Sequence, residues 1–330
     1  MSGRVAVVRG LGGALPEKVV TNEYLSSIMD TSDEWIRRRT GIGERRHSDD
    51  SENTSVLATT AAVRALESAG IELGSASSTA VGLLIVATST PDKVCPATAP
   101  KVAANLGLNG IAAFDVSAVC SGFVYALATA SWAIGSGAVD SALVIGADTF
   151  TRLLDPTDRS TAVIFGDGAG AAYLTAGTRD EPGAILASTL HSDGDGEALI
   201  QVPHQGAFFE MQGKEVFTQA VSAMSDSVET VLANVGWAAS DVDSLVAHQA
   251  NLRILNTVAS VTGIPESKAE VHLDRVGNTS AASIPLAMTD AGTKGHRSAG
   301  DKVILTAFGG GTTWGAVAMT WPEISVVDPH

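Results

Sequence analysis

Apolar and polar positions alternate in period along the chain. Arg4–Arg9 reads as a strand, and Gly82–Thr88, Ala112–Val116 and Ser141–Gly146 are short apolar runs of the kind a strand covered on both faces carries. Between them lie segments of helical spacing with glycine stops: Asn53–Ala69 ends at Gly70, Ala97–Leu106 at Gly107 and Ser121–Ile134 at Gly135. Ala162–Phe165 reads as one more strand. The alternation predicts an α/β fold.

The second half of the chain repeats the first. VGLLIVATS from Val81 is matched by VDSLVAHQA from Val242, and ALVIGADTF from Ala142 by KVILTAFGG from Lys302. The helix stopping at Gly70 has its counterpart stopping at Gly236. All three pairs are separated by nearly the same stretch of sequence, close to half the chain. Such near-equal offsets indicate a duplicated unit, residues 1–175 and 176–330, meeting in the polar stretch Thr175–Gly183. With no long linker the halves are expected to pack together, and their interface is the default place for chemistry.

Composition narrows the classes. With 330 residues, 45% of them hydrophobic and 17% charged, the chain can bury a large core, which excludes disorder. A net charge of −15 excludes nucleic acid and an anionic membrane surface as main partners. The longest apolar run, near Val81–Ala87, is well short of the ~20 residues a membrane span needs. The opening MSGRVAVVRG has no long apolar region, so a cytoplasmic protein is expected. Two cysteines, Cys95 and Cys120, are too few for a disulfide framework or a cysteine zinc site.

Cys120, in FDVSAVCSGFVYAL, follows a strand and opens a helix, where free backbone N–H groups and the helix dipole are expected to favour thiolate; the alternative is a small buried hydrophobe. His248, in LVAHQANLRIL, stands at a strand's carboxyl end, where α/β sheets bind ligands, or is a structural histidine. Asn278, in VGNTSAASIPLAM, opens a small-residue helix as an N-cap. Carrying Cys120 forward by the repeat offset lands on residue 280, so Asn278 also lies near the cysteine's internal mate, facing the same cavity. AFGGGTTWG, Ala307–Gly315, lacks the Lys-Ser/Thr of a phosphate loop and is either a tight turn or an oxyanion donor. FGDGAGAA has dinucleotide-fingerprint spacing, but β-type sequence follows it, which argues against nicotinamide binding. The basic cluster WIRRRTGIGERRH, Trp35–His47, is a solvated helix end or an anion site beside an aromatic; Arg159 could join it.

These segments resemble β-ketoacyl-acyl carrier protein synthase III, the initiating ketosynthase of the thiolase superfamily. The resemblance runs nearly end to end through TSDEWI, RTGI, FDVSAVCSGF, DPTDRST, FGDGAGAA, HQANLRI, GNTSAAS and FGGGTTWG. A Cys–His–Asn set separates it from elongating synthases (Cys–His–His) and from thiolases with their second catalytic cysteine. Chalcone synthases lack the HQANLRI and GNTSAAS strings. The resemblance implies a thiolase-like fold of two βαβαβαββ halves in five α-β-α-β-α layers. It implies that Cys120 carries the acyl group from acyl-CoA, and that the N–H groups of Cys120 and Gly310 form the oxyanion hole. His248 and Asn278 then stabilise the enolate left when a malonyl thioester loses carbon dioxide. Trp35 and Arg159 sandwich the adenine of coenzyme A, Arg39 and Thr40 touch its head, and Asn251 helps hold the pantetheine end or an ordered water. Arg253 and Lys214 dock the acyl carrier protein. The expected assembly is a homodimer, with no metal or redox cofactor.

Three departures from the family pattern bear on specificity. Cys95, in DKVCPATAP, stands where the family often sends a phenylalanine across the dimer to close the acyl pocket, which implies a longer or bulkier primer. Gln201–Glu210 is shorter than the usual loop over the pocket. Thr218, Ser260 and Val261 occupy positions where the family often has basic residues for the carrier. Priming of a polyketide pathway, or a non-condensing acyl transfer, is the alternative reading.

Overall fold

The computed structural model describes residues 3–74 and 81–329. The first half supplies β1 (Arg4–Ala14), the hairpin pair β2 (Val19–Thr21) and β3 (Glu44–Arg46), β4 (Leu83–Ala87), β5 (Ala112–Val116), β6 (Ser141–Asp148) and β7 (Gly168–Thr178). Its helices are α1 (Asn22–Ile28), α2 (Asp33–Thr40), α3 (Thr54–Ser68), α4 (Ala99–Asn105) and α5 (Gly122–Gly135). The second half supplies β8 (Ile185–Ser192), the short pair β9 (Ile200–Gln201) and β10 (Glu210–Met211), β11 (Ser244–Ala247), β12 (Lys302–Gly309) and β13 (Thr313–Thr320). With them come α6 (Gly213–Val235), α7 (Leu252–Thr262), α8 (Leu273–Val276) and α9 (Ser283–Thr293).

The duplication is visible strand by strand. The first sheet runs β1-β7-β6-β4-β5, the second β8-β13-β12-β11, with the same sequence of antiparallel and parallel pairings. The fifth strand of the second sheet shrinks to a single parallel bridge, Leu245 to Ala269. The chain crosses from one sheet to the other between Thr178 and Ile185, in the polar stretch noted above.

Side-chain alternation builds five layers. Leu84, Val86, Leu143 and Ile145 turn outward from the first sheet onto α3 and α4, while Leu83, Ile85, Ala142 and Val144 turn inward onto α5 and α9. On the second sheet Val246, Val303 and Leu305 meet the same central helices, and Leu245, Ala247 and Ile304 meet α6 and α7. The resulting α-β-α-β-α order is the thiolase fold. Central α5 and α9 are covered on both sides, which explains why α5 reads as apolar almost throughout.

The expected strand Ala162–Phe165 is not one. Residues 161–164 form turns, and only Phe165 makes an isolated bridge, to Asn278. The apolar run is explained by packing: Val163 is buried in the core between the second sheet and α6 and α7, and Phe165 in a small cluster with Phe150 and Phe209. The glycine-rich segment after it enters β7 at Gly168, so no helix start exists there to take a pyrophosphate.

Close backbone approach fixes where the central helices begin. A Cβ on Gly146 of β6 would stand 2.2 Å from the carbonyl oxygen of Ala281. Gly146→Ala must push the first sheet off the turn that opens α9, an overpacking penalty of about 1–3 kcal/mol. Thermal denaturation is expected to show a drop in Tm of several degrees for this variant. Gly194→Ala, which meets nothing within 4 Å, is expected to leave Tm unchanged.

Candidate active site

Cys120 lies in a single 3-10 turn, Val119–Ser121, between β5 and α5. Val119 takes φ 47°, a left-handed conformation costly for a β-branched residue. The mate of this turn in the second half is Ser280–Ala282 before α9, and there Ser280 takes φ 50°. Each half thus enters its central helix through one non-glycine residue of positive φ, and the two turns face each other. Cys120 Sγ lies 3.8 Å from Ser280 Oγ.

His248 follows β11 directly and Asn278 follows α8, and both are buried. Cys120, His248 and Asn278 line one cavity of about 40 Å³, walled by Phe150, Phe165, Phe209, Met211, Met224 and Phe308. That volume takes a few waters, at roughly 10–15 Å³ for each, so a bound acyl chain has to displace side chains. The two methionines are the adaptable part of the wall. Phe150 stacks on Phe165 at 4.5 Å, and Phe209 meets both edge-on at 5.1 and 5.2 Å. Phe209 stands beside β10, at the end of the segment noted above as short.

Burial dominates the electrostatics. The Cys120 thiol is pushed up to about 12 by desolvation, with the Asp148 carboxylate adding to the rise and the Ser280 hydroxyl opposing it. The expectation that the helix start favours thiolate is therefore overturned for the resting site: Cys120 is 8% exposed, and desolvation outweighs the dipole. His248 is pushed down to about 3, also by burial, so its ring is neutral. Its Nδ1 lies 2.6 Å from Ser283 Oγ, which itself accepts the Gln249 N–H at 3.3 Å. Ser283 is free to donate to Nδ1, the arrangement that places the ring proton on Nε2. Asn278 accepts the Ser280 N–H at 2.9 Å through Oδ1, leaving its NH₂ end as the donor.

The glycine segment after β12 closes over the cysteine. A Cβ on Gly309 would stand 2.8 Å from both the Ala118 oxygen and the Cys120 nitrogen. Thr313 Oγ1 bonds the Ala118 and Gly310 carbonyls at 3.1 and 3.0 Å and the Ser121 hydroxyl at 2.8 Å, pinning the loop to the cysteine turn. Gly310 is one residue further along this loop and is buried against Ile200.

The basic cluster divides in two. Arg39 and Arg159 are exposed and flank Trp35, their guanidinium carbons 4.9 and 5.1 Å from the indole centroid. Asn251 caps α7 and donates to the Arg39 carbonyl at 3.0 Å, and Ala250 and Ile254 beside it line the cavity, so α7 links the two places. Thr40 is buried and its hydroxyl serves α2 itself, donating to Ile36 and accepting from Ile42. Arg45 is fully buried, donating to Asn22 Oδ1 and to the Val20 and Val163 carbonyls, which straps the β2–β3 hairpin to the segment before Asn278's bridge. Arg253 and Lys214 are exposed, Arg253 lying over Phe217. Cys95 is exposed and lines no wall of its own chain's cavity.

Ser280, Ser283, Asp148 and Gly309 were not singled out from the sequence. The repeat offset carried a signal for one of them: counting one repeat on from Cys120 lands on residue 280, just past Asn278.

Fold and site together define a condensing acyltransferase of the thiolase fold. The models of 3-oxoacyl-[acyl-carrier-protein] synthase III and of its C-terminal part match residues 114–194 and 232–321. The chain belongs to the β-ketoacyl-acyl carrier protein synthase III family. It is 51% identical to β-ketoacyl-[acyl-carrier-protein] synthase III 5 of Streptomyces coelicolor, covering 99% of this chain and 100% of that one. It is similar to the crystal structure of 3-oxoacyl-(acyl carrier protein) synthase III from Pseudomonas aeruginosa PAO1, with TM-score 0.92, 50% identity, and 97% and 99% of the two chains covered. The priming β-ketosynthase of the R1128 polyketide pathway aligns with TM-score 0.89 at 31% identity, over 96% of each chain. Among the described residues no helix is long and apolar enough to cross a membrane.

Exposure separates the two cysteines. Peptide-resolved iodoacetamide labelling at pH 7 is expected to modify Cys95 at least tenfold faster than Cys120. Faster labelling of Cys120 would contradict the buried, neutral thiol.

Proposed function

We propose that this chain condenses a short acyl-CoA primer with malonyl-acyl carrier protein and so begins fatty-acid synthesis in the cytoplasm. The observation that carries this reading is the convergence of Cys120, His248 and Asn278 on one apolar cavity between the halves, joined by α7 to the Trp35–Arg159 pair. Cys120 attacks the primer's thioester carbonyl and coenzyme A leaves, giving an acyl-cysteine. The N–H groups of Cys120 and Gly310 hold the oxyanion. The malonyl thioester carbonyl then accepts hydrogen bonds from His248 Nε2–H and the Asn278 NH₂ group. Loss of carbon dioxide leaves its electron pair as an enolate on that carbonyl. The enolate carbon attacks the acyl-cysteine, and Cys120 leaves as the β-ketoacyl thioester forms. Neither step requires a metal or redox cofactor.

Adenine recognition requires opening. At 5.1 Å, Arg159 lies directly over Trp35, bonded to the Asp30 carbonyl at 2.6 Å, so an adenine ring enters by displacing it. Arg39 stays on the indole and covers the phosphate side, and Arg253 with Lys214 meets the acidic carrier. A small cavity favours a short primer over the longer one that Cys95 suggested.

The homodimer is part of the same proposal. Strand β5 pairs with β4 alone among the described residues, and Phe114 on it is 39% exposed, an apolar edge for a lone chain to leave open. Pairing of two β5 edges covers this strand and sets the exposed Val94 and Cys95 at the mouth of the partner's pocket. Sedimentation is expected to give a dimer, and Phe114→Lys to shift it toward monomer.

Intact mass after incubation with acyl-CoAs tests the chemistry. Acetyl-sized groups are expected to add to the wild type and not to Cys120→Ala. His248→Ala and Asn278→Ala are expected to acylate normally yet lose about 10²–10³-fold in condensation, as removal of enolate donors requires. Arg159→Ala is expected to raise KM for acyl-CoA about tenfold, roughly 1.4 kcal/mol. Equal loading of Cys120→Ala would overturn the assignment.

A further inference from the structure

His248 and Asn278 have to present their donors to one oxygen atom, yet they come from different elements. His248 follows β11, and its N–H bonds the Thr306 carbonyl of β12 at 2.8 Å. Asn278 follows the single turn of α8 and Gly277. Its backbone is tied to the first half, its N–H donating to the Ile164 carbonyl at 2.9 Å and its carbonyl accepting the Gly166 N–H at 3.0 Å. Something has to hold α8 at a fixed distance from the end of β11.

Gln249 stands between them. It is 1% exposed and is not among the residues that line the cavity. Its amide has two donor and two acceptor positions, and all four are used. Nε2 donates to the carbonyls of Ala247 at 2.8 Å and Glu270 at 3.0 Å. Oε1 accepts the N–H groups of His272 at 2.9 Å and Leu273 at 3.2 Å. Two carbonyls at one end and two N–H groups at the other admit one orientation of the amide only. Its oxygen takes up donors at the start of α8 that the helix itself cannot use. Its nitrogen holds the residue immediately before His248.

The duplication shows what this amide replaces. In the first half β5 runs beside β4 from the Leu83–Ala112 pair to the Ala87–Val116 pair, and the Thr88 N–H carries the ladder on to the Val116 carbonyl at 3.2 Å. That strand leads into the Cys120 turn. In the second half the matching strand is reduced to the Leu245–Ala269 bridge. The repeat offset that takes Val81 to Val242 takes Thr88 to Gln249. Where the first half ties its fifth strand through main chain, the second ties the same place through a side chain.

We infer that Gln249 is the positioning residue that sets the spacing of His248 and Asn278, and through that spacing the rate of condensation. Its role rests on the reading of those two side chains as the enolate donors. An oxygen that receives both hydrogen bonds needs each donor within about 2.7–3.1 Å. A shift of α8 against β11 therefore breaks one of the two. Removing the amide leaves two N–H groups and two carbonyls without it in a buried place, and the segment has to move to pair them again. Cys120 is carried by the turn before α5 and stands outside this connection.

The test separates the two half-reactions on the full-length protein. Acylation is read by intact mass with acetyl-CoA, and condensation by product formation with malonyl-acyl carrier protein. Gln249→Met, similar in length and without the amide, is expected to load Cys120 within threefold of the wild-type rate. Its condensation is expected to fall at least tenfold in kcat with KM for malonyl-acyl carrier protein changed less than threefold, as when an interaction made in the transition state is lost. A merely structural role would slow both half-reactions alike. In an Asn278→Ala background, Gln249→Met is expected to cost less than a further threefold, since no second donor remains to be spaced; independent effects would multiply. If Gln249→Met does not fold, Gln249→Glu, which keeps an acceptor toward α8 and gives up the amide donors, is read in the same cycle. Condensation at the wild-type rate, equal losses in both half-reactions, or a multiplied loss in the double variant overturns the role of Gln249. Those results leave the condensation reading standing, because Asn278→Ala alone tests it. An Asn278→Ala protein that condenses at the wild-type rate overturns both.

Discussion

The centre of this molecule depends on the contact between two turns, one opening α5 and the other opening α9. Each carries a residue of positive φ, Val119 and Ser280, and the contact leaves no room for a side chain at Gly146 or Gly309. Such strain persists only where surroundings over-determine it. Here the surroundings are the two sheets, whose inward faces bury the starts of both helices. The duplication therefore does more than repeat a fold. It brings two helix starts head to head between the sheets, and sets Cys120 of one half against the Ser280 hydroxyl of the other.

Burial sets the charge states of the site in one direction. The thiol stays protonated, the imidazole neutral, and the nearest carboxylate is saturated with donors. In water a cysteine beside a histidine would tend toward an ion pair. Between two apolar sheets that pair has to be assembled against desolvation of both members, and neutral groups with oriented dipoles cost less. Ser283, fixing Nδ1, and Ser280, fixing Asn278 through its N–H, are the devices that orient them.

Periodicity showed most of the fold because both sheets follow it: inward and outward residues alternate through β4, β6, β11 and β12 as a doubly covered sheet demands. It misread 162–165, where apolar residues are buried by side-chain packing in two clusters and not by a ladder. Cys120, His248 and Asn278 were legible because each stands at a change of element within a distinctive string. Asp148 was not, since a single acid at a strand's end looks like any turn, and its partners Thr88–Thr90 and Ala281 are far from it in sequence. Arg45 was hidden for the opposite reason. It sits in a run of arginines that reads as solvated, yet the hairpin carries it into the core while Arg39 stays outside.

A site made of neutral donors also sets what the proposed decarboxylation can use. A malonyl carboxylate brought to this cavity meets Phe308, Phe165 and Met224 and finds no cation among the residues lining it. In the proposed mechanism the donors, His248 Nε2–H and the Asn278 amide, serve the thioester oxygen instead. Negative charge is thus poorly solvated where it begins and well hydrogen bonded where it ends, which favours its passage from carboxylate to enolate. A cationic histidine would stabilise the intact carboxylate too, and so lower the ground state along with the transition state. Depression of the His248 pKa to about 3 by burial is in this sense part of the chemistry, since it keeps the stabilisation directed at the enolate.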